Sequence, residues 1–180
     1  RQYKKKVVSQ KLLKELIDTA RYAPTGSNSQ QVHWTVVQNP EDVHKLAGMV
    51  IDFMKMMHPL MTDEAAARRS KRIIDSWENG TDRIMRGAPH LVVVHCPPDV
   101  SFPAVDCTIA LTYLELYAYA KGLGTCWAGY FTGVAGMHEP IIKLLNLPAG
   151  HKCYGAVMLG YPKPEYYRIP KRNDAQITWR

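Results

Sequence analysis

Four cysteines, at positions 96, 107, 126 and 153, form no CxxC pair, and the seven histidines form no HExxH or histidine/carboxylate cluster. These absences argue against a zinc or iron–sulfur site held by this chain, because such sites need closely spaced soft or imidazole ligands. Cys96 and Cys153 fall in apolar, strand-like runs, where a reduced buried thiol is expected. Long apolar runs are missing too: each is interrupted by His, Lys or Asp well short of the roughly 18 residues that cross a bilayer. No signal peptide is visible at the start, so a cytoplasmic protein with no membrane partner is expected. There is no internal repeat and no low-complexity tract. The net charge of +7 comes without a helix-turn-helix, zinc-finger or RNA-recognition signature, so nucleic acid is not an expected partner. Lys4-Lys5-Lys6 and Arg68-Arg69-Ser70-Lys71-Arg72 supply much of that charge, the second cluster as the solvated face of a helix. The first residue is Arg1 rather than Met, which is compatible with an upstream segment.

What is present suffices for one compact domain over residues 1–180, since the sequence is 46% hydrophobic and a chain this long buries a substantial core. Ser9 caps a helix whose apolar face is Leu12, Leu13, Leu16, Ile17 and Ala20, and Pro24 and Gly26 stop it. His33-Trp34-Thr35-Val36-Val37 reads as a strand. Asn39 with Pro40 at the first helical position opens a helix to about Met57, and a second runs from about Asp63 to Trp77. Five methionines between Met49 and Met61 form an adaptable apolar surface, either core filling or a substrate lid at 51–80. Leu91-Val92-Val93-Val94 is a buried strand, and residues 101–121 form one helix that is apolar almost all round, buried centrally or shared between subunits. Thr125 to Phe131 reads as extended, Pro140 to Leu145 as helix, and Tyr154 to Pro162 as the last core strand. Residues 163–180 are a basic, proline-containing tail closing on a β-prone Gln176-Ile177-Thr178-Trp179, suited to adding to the sheet edge of a partner.

The segment Ala23-Pro24-Thr25-Gly26-Ser27-Asn28-Ser29-Gln30 lies between the first helix and the first strand. Its side chains both donate and accept hydrogen bonds without charge, which suits a neutral planar ligand better than a metal. An ordinary connecting turn has the same composition, and the segment by itself leaves both readings open.

That segment resembles the first signature of the FMN-dependent nitroreductase family, Ala-Pro-Ser-x-x-Asn-x-Gln-Pro-Trp, with Gln31 and Val32 standing where Pro usually follows Gln. Arg1-Gln2-Tyr3 is similar to the end of the family's opening signature. Ala88-Pro89-His90, the long apolar helix, and Gly122-Leu123-Gly124-Thr125-Cys126-Trp127-Ala128-Gly129 resemble its middle, and Gly160-Tyr161-Pro162 with Tyr166-Tyr167-Arg168-Ile169-Pro170 its C-terminal end. The resemblance implies an α+β fold with a central, mostly antiparallel sheet flanked by helices and a tail strand added to the partner subunit. It implies FMN as cofactor, NAD(P)H as electron donor, and a homodimer with FMN sites at the interface. By position Arg1 would stabilise negative charge at the reduced flavin's N1 and C2 carbonyl, and the backbone of Ala128 and Gly129 would face N5. Cys126 and Trp127 would lie beside the ring, and Arg168, with Arg172 as a weaker candidate, would hold the phosphate. Pro24, Thr25, Gly26, Asn28 and Gln30 would complete the site from the partner subunit. No side-chain acid, base or nucleophile is implied. The reaction would be ping-pong, carrying electrons to nitroaromatics, quinones or similar acceptors. Alternatives are reductive dehalogenation or another flavin chemistry on the same fold, or a non-enzymatic flavin carrier. A subgroup similar through Gly80-x-Asp82 and Arg86-Gly87-Ala88-Pro89-His90 often carries an upstream ferredoxin domain.

Overall fold

The computed structural model describes residues 2–180. Side-chain caps start the first three helices. The Ser9 hydroxyl accepts from Leu12 N–H to open α1 (Gln10–Ala20), Asn39 accepts from Glu41 N–H to open α2 (Pro40–Met57), and Asp63 accepts from Ala65 N–H to open α3 (Glu64–Glu78). Each cap satisfies a backbone donor that has no partner inside its helix. Between α1 and α2 runs β1 (His33–Val37), and after α3 comes β2 (His90–Cys96), which is buried at every position. Then follow α4 (Pro103–Ala120), β3 (Gly124–Trp127), the single turn α5 (Gly129–Thr132), α6 (Glu139–Leu145) and β4 (Lys152–Gly160).

The four strands form one sheet in the order β1-β2-β4-β3, with antiparallel pairing throughout. Alternation along each strand divides the core into two layers. Leu91, Val93, Ala156 and Met158 pack on one face with α2 and Phe131, while Val92, Val94, Val157 and Leu159 pack on the other with α1 and α4. A full helical layer on each face leaves β2 no exposed side, hence its unbroken apolar run. His90 begins that run as a structural pin. Its Nε2 accepts from Val8 N–H at 2.8 Å and its Nδ1 lies 2.8 Å from the Gln38 carbonyl, so burial of the ring leaves neither nitrogen unpaired. The chain ends of the domain meet as well: Lys4 N–H donates to the Tyr161 carbonyl and Lys163 N–H to that of Gln2.

Three boundaries differ from the sequence reading. Tyr130 and Phe131 are helical, because Ala128 N–H donates to the Ala156 carbonyl as the last link to the sheet and the chain then turns Phe131 wholly into the core. The long helix starts at Pro103 rather than Ser101, since proline needs no donor in a first turn. β4 starts at Lys152, ahead of Tyr154, by pairing with Cys96. The tail beyond Lys163 has no strand within the chain, and Tyr167 and Trp179 are exposed. Helix α4 buries Cys107, Ala110, Leu111, Leu114 and Ala118 but leaves Val105, Tyr113, Leu116 and Tyr119 uncovered, so a single chain satisfies only one side of it.

Candidate functional site

Strand β3 is an edge strand, and an edge strand carries a row of backbone groups with no partner in the sheet. A cavity of about 570 Å³ lies along it, walled by Arg83, Ile84, Arg86, Glu115, Thr125, Cys126, Trp127, Gly129, Tyr130 and Met158. Strand alternation distributes these walls. Cys126 stands opposite Met158 on the α2 side, whereas Thr125 and Trp127 turn toward α4. There Glu115 accepts from both of them, from Thr125 Oγ1 at 2.7 Å and from Trp127 Nε1 at 2.6 Å. At the end of the strand a Cβ placed on Gly129 would meet nothing within 4 Å. Gly129 N–H belongs to the first turn of α5 and has no partner within that turn, while Ala128 N–H is already committed to Ala156. Of the two backbone donors expected at a flavin N5, Gly129 is the one left to give.

The cations of the cavity come from a turn built on one carboxylate. Asp82 Oδ1 accepts from Ile84 N–H at 2.8 Å and Met85 N–H at 2.9 Å, and Oδ2 accepts from Gly87 N–H at 3.1 Å. Three donors on one ionised group hold the turn firmly, and they do so with Arg86 at φ 56°, in the left-handed region. The turn places Arg83 and Arg86 at the cavity wall, exposed, and among the described residues neither joins an ion pair. Sequence reasoning did not assign Arg83, Glu115 or Tyr130 to the site, and used Arg86 only as part of a subgroup signature. The readable signal was Asp82 four residues before Arg86-Gly87, an aspartate-led turn next to a residue pair that includes glycine.

The loop 23–30 is built differently. Gly26 N–H donates to Asp106 Oδ1 at 3.0 Å, Gln30 N–H to Thr25 Oγ1 at 3.0 Å, and Gln30 Nε2 to Asn28 Oδ1 at 3.2 Å. Ser27, Asn28 and Gln30 all have positive φ, and a Cβ on Gly26 would approach Phe102 Cδ2 to 2.5 Å. Any side chain at 26 would force the exposed Phe102 ring to move. Within one chain this loop is not brought to the β3 cavity. It is anchored at Asp106 near the start of α4 and the cavity at Glu115 nearer its end, a separation of about 13 Å along the helix. Cys126, Trp127, Ala128 and Gly129 do come together, while Arg168 and Arg172 lie on the exposed tail and are not among the cavity walls. Arg1 lies outside the described residues.

A third polar cluster sits at the opposite end of the sheet. His95 Nδ1 and His151 Nδ1 are 2.9 Å apart, His95 Nε2 is 3.0 Å from Thr35 Oγ1, and the His33 ring packs edge-on against His151. Burial, with His151 and His33 beside it, lowers the His95 pKa to about 4. Burial also pushes the Cys153 thiol up to about 11 and raises that of Cys107 further. Such thiols are poor nucleophiles. The cavity along β3 thus offers a strand edge, a glycine with open space beside it and two cations that, among the described residues, join no ion pair, which together suit a flat heterocycle bearing negative charge.

The chain matches the model of the Nitroreductase family over residues 1–161. It is 24% identical over 166 residues to a Methanothermobacter thermautotrophicus protein named as an NADH dehydrogenase/NAD(P)H nitroreductase, covering 90% of this chain and 71% of that one. Among solved structures it is similar to an FMN-bound nitroreductase of Bacteroides fragilis, with TM-score 0.80, 23% identity and coverage of 99% and 91% of the two chains. It is similar also to an FMN-bound nitroreductase of Desulfitobacterium hafniense, with TM-score 0.75, 25% identity and coverage of 99% and 92%. No helix among the described residues is long and apolar enough to cross a membrane.

Proposed function

Because this chain belongs to the nitroreductase family, we propose that it is an FMN-dependent oxidoreductase that carries electrons from NAD(P)H to nitroaromatic, quinone or similar acceptors. The observation that carries this reading is the open edge of β3, where the Gly129 backbone and the cations Arg83 and Arg86 face one cavity. FMN, when bound there, supplies a two-electron centre that takes hydride at N5 and returns it to an acceptor. The protein's part is to bind and orient. Gly129 presents a donor without a competing acid, and the two arginines stabilise the negative charge of a reduced flavin, a task first expected of Arg1. None of the cavity walls is needed as general acid or nucleophile. Donor and acceptor would then take turns at the same exposed ring, a ping-pong sequence.

A homodimer is part of the proposal. The uncovered apolar side of α4 needs a partner surface, and the 13 Å offset noted above leaves Pro24, Thr25, Gly26, Asn28 and Gln30 available to a neighbouring chain rather than to their own. In this reading residues 51–80 act as a lid, and the tail from 163 to 180 crosses to the partner, bringing Arg168 and Arg172 to the phosphate.

Anaerobic titration with NADH and with NADPH tests the proposal. FMN that bleaches with either donor and recolours on adding a nitroaromatic or quinone is the expected result. Bound FMN bleached only by reduced ferredoxin would move the donor to an iron–sulfur protein, and FMN that no donor reduces would make the chain a flavin carrier. Arg168→Ala is expected to raise the FMN dissociation constant about tenfold, a loss of about 1.4 kcal/mol, with the fold retained by circular dichroism. Unchanged affinity removes Arg168 from the phosphate site.

A further inference from the structure

We propose that Glu115 is a positioning residue that sets the Trp127 indole as a fixed shelf for the planar ring in the β3 cavity, an inference that rests on the function above. Helix α4 is apolar over most of its length, and the partly buried carboxylate in its C-terminal third is held best where both oxygens are satisfied. Both are, and by neutral donors rather than a cation: Oε1 by the Thr125 hydroxyl and Oε2 by the Trp127 N–H. The Thr125 bond alone would fasten β3 to α4. The Trp127 bond adds something else, because it fixes the rotation of a large side chain that is 41% exposed and lines the cavity.

The far end of the indole is held as well. A Cβ on Gly155 would fall 3.4 Å from Trp127 Cζ3, about van der Waals contact, so the six-membered ring is seated over the bare backbone of Gly155. One end is bonded and the other seated. A side chain locked at two points keeps its orientation in the empty cavity, and binding a ring against it costs less ordering than binding against a free rotor. A hydrogen bond to an ionised acceptor is also stronger than one to a neutral group, which keeps the indole in place beside water.

The test compares Glu115→Ala, Glu115→Gln and Trp127→Phe. FMN affinity is read by titrating flavin-free protein, the flavin environment by visible circular dichroism of the loaded protein, and the indole by near-ultraviolet circular dichroism without flavin. Glu115→Ala is expected to weaken FMN binding about tenfold, alter the visible band and lose the near-ultraviolet band that Trp127→Phe also loses. Glu115→Gln keeps an acceptor and should restore all three to within about twofold. Combining Glu115→Ala with Trp127→Phe should add little to either alone. If Glu115→Ala only lowers the thermal midpoint while affinity and both bands stay as in the parent, the carboxylate is a fold staple and the inference is overturned. Should Glu115→Ala fail to fold, Trp127→Phe decides: parental affinity and visible band overturn the inference, and their loss supports it. If the parent protein itself binds no FMN, the proposed function fails, and the near-ultraviolet band alone still decides whether Glu115 orients the indole.

Discussion

In two of the loops that hold residues at positive φ, 23–30 and 82–87, an aspartate binds backbone donors. In the loop 23–30 the Gly26 N–H goes to Asp106 on a neighbouring helix, Asn28 N–H and Ser29 N–H go to the Thr25 and Gly26 carbonyls, and Gln30 bonds Thr25 and Asn28. In the turn 82–87 one carboxylate takes three N–H groups from its own segment, and among the described residues Arg83 and Arg86 join no ion pair. The first loop depends on helix α4 for its place and leaves Ser29 Oγ buried with no hydrogen-bond partner among the described residues. The second is a self-contained frame that displays charge. Polar composition therefore says little about which loop holds a ligand. What matters is which element anchors the loop and which groups that anchoring leaves free.

The sharpest way to break this comparison is Asp82→Ala. It removes three charge-assisted bonds at once and should lower unfolding free energy by about 3 kcal/mol in urea denaturation, with FMN affinity falling at least tenfold. A stability loss without any loss of affinity would make the turn purely structural. The comparison also needs a defined pH, because the histidine cluster adds its own acid sensitivity. With the His95 pKa at about 4 in the fold and near 6.5 when unfolded, the unfolded chain binds more protons between those values. Stability is full above pH 6.5 and falls as the pH drops toward 4, by about 2 kcal/mol between pH 7.5 and 5. His95→Asn should flatten that part of the profile, and an unchanged slope would assign the acid sensitivity elsewhere. Asp106→Ala strands only the Gly26 N–H and is expected to cost about 1 kcal/mol, with a larger proportional loss of FMN if the loop completes a partner's site. Comparable in stability is Asn28→Ala, about 1 kcal/mol, because alanine tolerates the φ of 54° at this exposed position less well than asparagine does. Its effect should also appear in flavin retention or reduction rate of the dimer, and unaltered values would return Asn28 to the role of a turn residue.

Much of the fold was legible because local chemistry and tertiary structure agree. Ser9, Asn39 and Asp63 cap where capping residues should, and the unbroken run from Leu91 lies in a strand covered on both faces. The extended reading of Tyr130 and Phe131 failed because their aromatic, strand-prone side chains were weighed without knowing that Ala128 makes the last bond to the sheet. Of the residues that the resemblance named from Cys126 to Gly129, the fold places Cys126, Trp127 and Gly129 along one cavity. The site was illegible at Glu115 and Arg83, because a glutamate in a helix and an arginine after a turn ordinarily face solvent. Only the pairing of β3 against β4 and the packing of α4 beneath it bring them to one cavity.

The clasp between residues 2–4 and 161–163 has a consequence for how the molecule is made. Strands β1, β2 and β4 draw together distant parts of the chain, and such pairings pay their loop-closure entropy before they are rewarded. The clasp spans nearly all of that distance, so during synthesis it cannot close until residue 163 has left the ribosome. Strand β4, to which the cavity's edge strand is paired, is itself made late. Cofactor capture then waits on β4, and a nascent chain stalled before that strand would offer FMN no place to bind.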